Sequence, residues 1–146
     1  MTDGHKSGAG VLFWVLGAFF LIWNATGCYF YFLDVTLSDT AYAEVYGEDL
    51  TALRDSYPAW SIGAYAIAVW GGLLAASLYL LRKRWALPLF IVSLIMAIIS
   101  FIWGFTNADY KAAAGGTFWV MPLIVVIFGL IEIWWTRKKI ADGTIS

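Results

Sequence analysis

Pro88–Trp103 reads PLFIVSLIMAIISFIW. No charge interrupts this stretch, and apolar and polar residues do not alternate along it. A barrel strand alternates over about ten residues, so the pattern is that of a helix. In lipid every backbone polar group must find a partner within the structure, and a helix pairs its own. The stretch lies in a run of 24 uncharged residues between Arg84 and Asp109. Three similar runs flank it: 27 residues between Lys6 and Asp34, 26 between Asp55 and Arg82, and 20 between Lys111 and Glu132. About 20 mostly apolar residues suffice to cross a bilayer. Helices are therefore predicted over 9–33, 59–81, 85–106 and 117–136. The predicted fold is an all-α membrane protein, a single four-transmembrane-helix bundle over residues 1–146.

Composition agrees. The chain is 62% hydrophobic and 13% charged, against about 45–50% and about 25% in soluble domains. Nine Trp and eight Tyr suit the two membrane–water interfaces, where an aromatic ring with one polar end is at home. The nine basic residues are balanced by ten acidic ones, without the basic stripe that nucleic-acid binding needs. Cys28 is the single cysteine and His5 the single histidine. That excludes an internal disulfide, a Cys/His zinc site and haem held by two histidines of this chain. No lysine interrupts an apolar run, so a buried Schiff base has no anchor. No cofactor is expected.

The basic residues set an orientation. Lys6, Arg82-Lys83-Arg84 and Arg137-Lys138-Lys139 fall on one side; Arg54, Lys111 and seven acids fall on the other. Basic loops stay in the cytoplasm. The expectation is a multi-pass protein of the bacterial inner membrane with both termini cytoplasmic and the bilayer as its first partner. Ala25-Thr26-Gly27-Cys28 loosely resembles a lipoprotein cleavage site. However, the run is longer than the 7–15 residues of a signal-peptide core and continues through Tyr29-Phe30-Tyr31-Phe32-Leu33, so the first helix is read as retained.

The outer loop from Asp34 to Tyr57 is the one sizeable soluble piece. Ser38 suits an N-cap, and Gly47 suits a break into two turns. Tyr42, Tyr46, Leu50, Leu53 and Tyr57 would share one face. The prediction is a short amphipathic segment at the outer membrane surface, its acids forming a solvated face.

Helices associate in lipid through close packing of small residues. The second helix carries Ala64, Ala68, Gly72 and Ala76 at four-residue spacing, with Gly71 and Ala75 alongside. The third carries Ser93, Ala97, Ser100, Gly104 and Asn107. The first has Gly17, Phe20, Asn24, Gly27, Cys28 and Tyr31 on one face; the fourth has Pro122, Val125, Gly129 and Glu132. Four candidate intramembrane polar contacts stand out: Asn24, Asn107, Glu132 and Arg84. Asn24 reads as an interhelical hydrogen bond, with a ligand or proton contact as the alternative. Glu132, five residues before Arg137, is expected at the basic end, paired with Arg84; Lys6 is expected at the same level. The competing reading is a proton-coupling acid.

Trp23-Asn24-x-x-Gly27 in the first helix, Trp70-Gly71-Gly72 before a basic loop, and Met121-Pro122 at the start of the fourth resemble a family of small bacterial four-helix membrane proteins, some of them labelled sugar transporters. The resemblance covers most of the chain and implies the same four-helix fold. Small multidrug transporters also have four helices but use a mid-membrane glutamate in the first, which this chain lacks. Claudin-like proteins need paired cysteines in the outer loop, also lacking. The expected function is an accessory, scaffold or oligomer-forming subunit, as a homo-oligomer or in a larger membrane complex, without catalytic chemistry of its own. The alternative is an oligomeric small-solute transporter or channel.

Overall fold

A computed structural model of the protein describes residues 8–146; His5 and Lys6 lie outside the described residues. Among those residues there are seven α-helices and no strand: α1 (Val11–Thr36), α2 (Asp39–Tyr46), α3 (Glu48–Ala52), α4 (Ala59–Leu80), α5 (Ala86–Thr106), α6 (Ala108–Ala114) and α7 (Val120–Ala141). The helices α1, α4, α5 and α7 are each long and apolar enough to cross a membrane. The protein is a multi-pass membrane protein built as a four-helix bundle. α4 and α5 form its central hairpin, α1 packs on α4, and α7 packs on α5. α1 and α7 meet through side chains that bridge the remaining seam.

The predicted interior face is the buried one on α4 and, for most of its residues, on α1; of the row predicted on α5 only Ala97 is fully buried, beside Phe90 and Leu94, and of the row on α7 Gly129 and Glu132 are. On α4 Ala64, Ala68, Gly72, Ala75 and Ala76 are buried; on α1 Gly17, Phe20, Asn24 and Cys28 are. Glycines admit side chains of the neighbouring helix. A Cβ at Gly17 would lie 2.8 Å from the Tyr79 ring, and one at Gly129 would lie 2.7 Å from Leu94. Outward-facing Leu74, Ile95 and Leu130 are exposed, as lipid-facing residues are.

At the basic end Phe13, Phe20, Tyr79, Phe90 and Trp135 close the interior. The Tyr79 hydroxyl accepts from Trp135 Nε1 at 2.7 Å and donates to the Phe13 carbonyl at 3.2 Å. Ile145 seals this cluster and is 2% exposed. Arg82, in the left-handed region at φ 57°, donates from Nε to the Thr144 carbonyl at 2.7 Å, and its own carbonyl accepts from Ser146 N–H at 3.1 Å. The α4–α5 turn and residues 144–146 thus hold each other.

At the acidic end Ser38 caps α2 by accepting from Ala41 N–H, and Gly47 at φ 92° separates α2 from α3. Tyr42 is buried, Tyr46, Leu50, Leu53 and Tyr57 are half-buried, and Glu44, Glu48, Asp49 and Asp55 are exposed. The segment is amphipathic, as its pattern predicts. Arg54 fastens it to α1. The guanidinium donates to the Asp34 and Leu37 carbonyls at 2.8 and 2.7 Å, pairs with Asp39 at 3.0 Å, and lies 4.8 Å from the Tyr42 ring centroid. Burial first, then the nearby Asp34 carboxyl, pushes the Tyr42 hydroxyl up to about 12. Tyr57 stacks on Trp103, centroids 4.1 Å apart.

Three boundaries, on two helices, differ from prediction by more than a residue or two. α1 continues past residue 33 to Thr36, because Arg54 satisfies carbonyls at its end. α7 begins at Val120, after a tight turn at Gly115–Thr117, and continues past residue 136 to Ala141. The run Arg137-Lys138-Lys139 stays helical, with the Lys138 and Lys139 ammonium groups over the Trp134 and Trp135 rings. Long cationic side chains on a spanning helix reach the interface in this way while their stems stay apolar.

Candidate functional site

Asn24 and Glu132 face each other across the seam between α1 and α7. Asn24 Nδ2 donates to Glu132 Oε1 at 2.6 Å and to the Phe20 carbonyl of its own helix at 2.8 Å. Glu132 is 4% exposed and Asn24 8%. Gly72 of α4 makes room for the pair. A Cβ at Gly72 would collide with Asn24 Oδ1 and would lie 2.9 Å from Ser93 Oγ of α5. Ser93 in turn donates to the Ala68 carbonyl at 2.6 Å. All four spanning helices therefore contribute to one polar centre.

Above the seam pair Trp23 and Phe19 lie against Phe128, with centroids 4.5 and 5.5 Å apart. One turn towards the basic end Thr136 is fully buried, and its hydroxyl has no hydrogen-bond partner among the described residues. Nearer the acidic end the Cys28 thiol donates to the Val69 carbonyl at 3.2 Å, and Ser61 Oγ donates to the Ser100 carbonyl at 2.9 Å. Each of these bonds joins neighbouring helices.

Two of the four predicted polar contacts, Asn24 and Glu132, come together. The other two do not join them. Arg84 is exposed on the α4–α5 turn, beyond the packed cluster of Phe90, Ala86, Trp135 and Ile145. Among the described residues the ion pairs are Arg54–Asp39 and Lys139–Asp142, so the expected Glu132–Arg84 ion pair is replaced by the bond to Asn24. The reason is the length of α7. With the helix ending at Ala141, Glu132 lies nine residues inside it, about 13.5 Å from its end, too deep for a loop side chain. Asn107 is likewise corrected. Its side chain accepts from Tyr110 N–H at 2.8 Å and caps α6; its role is to start a surface helix. The packing residues Ala64, Ala68, Gly72 and Ala76 are all buried.

Arg54 and Thr136 escape a sequence reading. Arg54 is one of two basic residues at the acidic end, which marks it as a fastener. Thr136 carries no signal, since its position next to the basic run reads as interface.

No family model matches the chain, and neither a curated protein nor a solved structure matches it.

Proposed function

We propose that the protein is an accessory or oligomer-forming subunit of the bacterial inner membrane, its basic end in the cytoplasm, with no catalytic chemistry of its own. The observation that carries this reading is the filled centre of the bundle. Asn24, Glu132, Ser93 and the hole at Gly72 occupy the midline with hydrogen bonds and close packing. Shallow, open grooves run along the outer faces of α7 and of the α5–α7 pair. A single cysteine and a single histidine leave little for nucleophilic or metal chemistry. Asn24 of the Trp-Asn-x-x-Gly stretch lies in the polar centre, Gly27 lies against Val69, and Gly72 of Trp-Gly-Gly makes room for the Asn24 side chain.

Purification in mild detergent tests the reading. A subunit runs as a homo-oligomer or in fixed ratio with a larger membrane partner. A monomer that changes solute flux in liposomes contradicts it. Reporter fusions at Arg82–Arg84 and after Ser146 should read cytoplasm, and one near Gly47 should read outside; the reverse pattern refutes the orientation.

A small-solute transporter or channel is the second reading, and Glu132 favours it. Ionisable residues at membrane depth are rare and mark solute and proton paths, and the Glu132 carboxyl has a neutral amide as its partner. In that case Glu132→Gln abolishes a pH-dependent flux in liposomes while the bundle remains folded.

A further inference from the structure

We propose that the outer face of α7 at its basic end binds one anionic phospholipid. Leu130, Ile133, Trp134, Arg137, Lys138 and Ala141 line a shallow, open groove along one face of α7. They form one stripe along the helix, graded in chemistry. Leu130 and Ile133 are apolar, and Trp134, exposed, stands between them and the two cations. Leu130 to Arg137 is about 10.5 Å along the axis, enough for the upper part of an acyl chain below a headgroup.

The cations are available. The two ion pairs among the described residues use Arg54 and Lys139 as their basic partners. Arg137 and Lys138 are exposed and face no carboxylate in either pair. Lys139, one position further, is engaged with Asp142 at 2.7 Å and turns away from this face. Lys138 Nζ is held 5.6 Å from the Trp134 centroid and 5.5 Å from that of Trp135, which fixes its charge at the level of the interfacial rings.

A guanidinium beside an ammonium matches a phosphate, which takes paired hydrogen bonds from arginine. A zwitterionic headgroup brings its own ammonium against these two charges, so a net-negative headgroup fits better. Free phosphate satisfies the cations but leaves Leu130 and Ile133 without a partner, so the occupant is the lipid. The site follows from the spans and stands apart from the subunit and transporter readings.

The test is native mass spectrometry of the full chain in detergent containing equal phosphatidylglycerol and phosphatidylcholine. The parent should retain phosphatidylglycerol preferentially. Arg137→Gln with Lys138→Gln should weaken that retention roughly twenty-five-fold, since each cation at an anionic surface is worth roughly fivefold. Lys83→Gln with Arg84→Gln, at the same end but outside the groove, should leave it intact. The exchange Arg137→Lys with Lys138→Arg should restore most of it. Equal loss in both glutamine pairs would mean diffuse surface charge and would overturn the site, as would equal retention of phosphatidylcholine. Displacement of the lipid by inorganic phosphate would overturn the acyl-chain part.

Discussion

The two long seams of the bundle are closed by opposite means. Along α4 small residues let α1 and α5 come close, and at Gly72 the surface sinks far enough to take an amide oxygen. Between α1 and α7 there is no such stripe; large rings and one polar pair bridge the gap. In lipid, where apolar surface alone gives helices no reason to associate, close packing and interhelical hydrogen bonds are the available devices. Along α4 hydrogen bonds to backbone carbonyls accompany the close packing, from Cys28, Ser93 and Ser61, whereas between α1 and α7 the side-chain pair stands without a small-residue stripe; the two seams meet at a single point, where the Asn24 amide that bonds Glu132 is the one lodged against Gly72.

The first way to break the comparison is at that meeting point. Gly72→Leu drives a side chain into Asn24 and Ser93 and should disturb both seams. Overpacking of a dense core costs about 1–3 kcal/mol, and this position should reach the upper part of that range in detergent thermal unfolding. Gly71→Leu is the control. A Cβ there meets nothing within 4 Å, so its melting temperature should stay at the parent's. Equal effects at the two glycines would mean the depth of the stripe is irrelevant.

A smaller effect is expected from the polar seam alone. Asn24→Leu and Glu132→Leu should each cost between about 0.6 and about 1.7 kcal/mol, the average and the maximum for hydrogen bonds between membrane helices. Glu132→Gln keeps a carbonyl that can accept from Asn24 and should retain most of the stability. An ion pair would behave in the opposite way, since the charge itself would be needed.

Thr136 sharpens the comparison with a change of sign. Its buried hydroxyl is unpartnered among the described residues, and a buried polar group without a bond is a cost. Thr136→Val has nearly the same shape and should unfold at the parent's temperature or slightly above. A clear loss would show that the hydroxyl has a partner in the membrane.

The smallest effect concerns a fastening that neither seam supplies. Lys139 first, then Thr144, holds the Asp142 carboxyl down at about 2, from its ordinary 3.8. A group lowered in the folded state stabilises above its unfolded value, and that contribution fades as pH falls through the folded one. Between about pH 4 and about pH 2 the hold on residues 144–146 should loosen. Hydrogen exchange at Ile145 and Ser146, whose amides bond the Lys139 and Arg82 carbonyls, should report it. Asp142→Asn should speed that exchange at neutral pH; unchanged exchange would place the hold elsewhere.

Much of this was legible in the sequence. Four uncharged runs define the spans, and the spacing of small residues marks which face of α1 and α4 is interior. Ser38 and Gly47 announce the cap and the break of the α2–α3 segment, because caps and breaks are local. The partner of Glu132 was not legible, because one helix's pattern says which face is inside but not which neighbour it meets. Depth failed for a related reason. The basic run after Thr136 looks like the end of a helix, yet the two tryptophans before it support two of its cations and let α7 run on to Ala141. Asn107 fits a polar row on α5, but its backbone has already left the helix, so its side chain caps α6 instead.

The account stands most directly on the bond between Asn24 and Glu132. A double-mutant cycle of Asn24→Leu and Glu132→Leu, read by reversible unfolding in detergent, measures it. The expected coupling between the two positions is at least the average of about 0.6 kcal/mol and at most about 1.7 kcal/mol, with none between Glu132 and Arg84. Strictly additive losses at Asn24 and Glu132, or a coupling that appears with Arg84 instead, would contradict it.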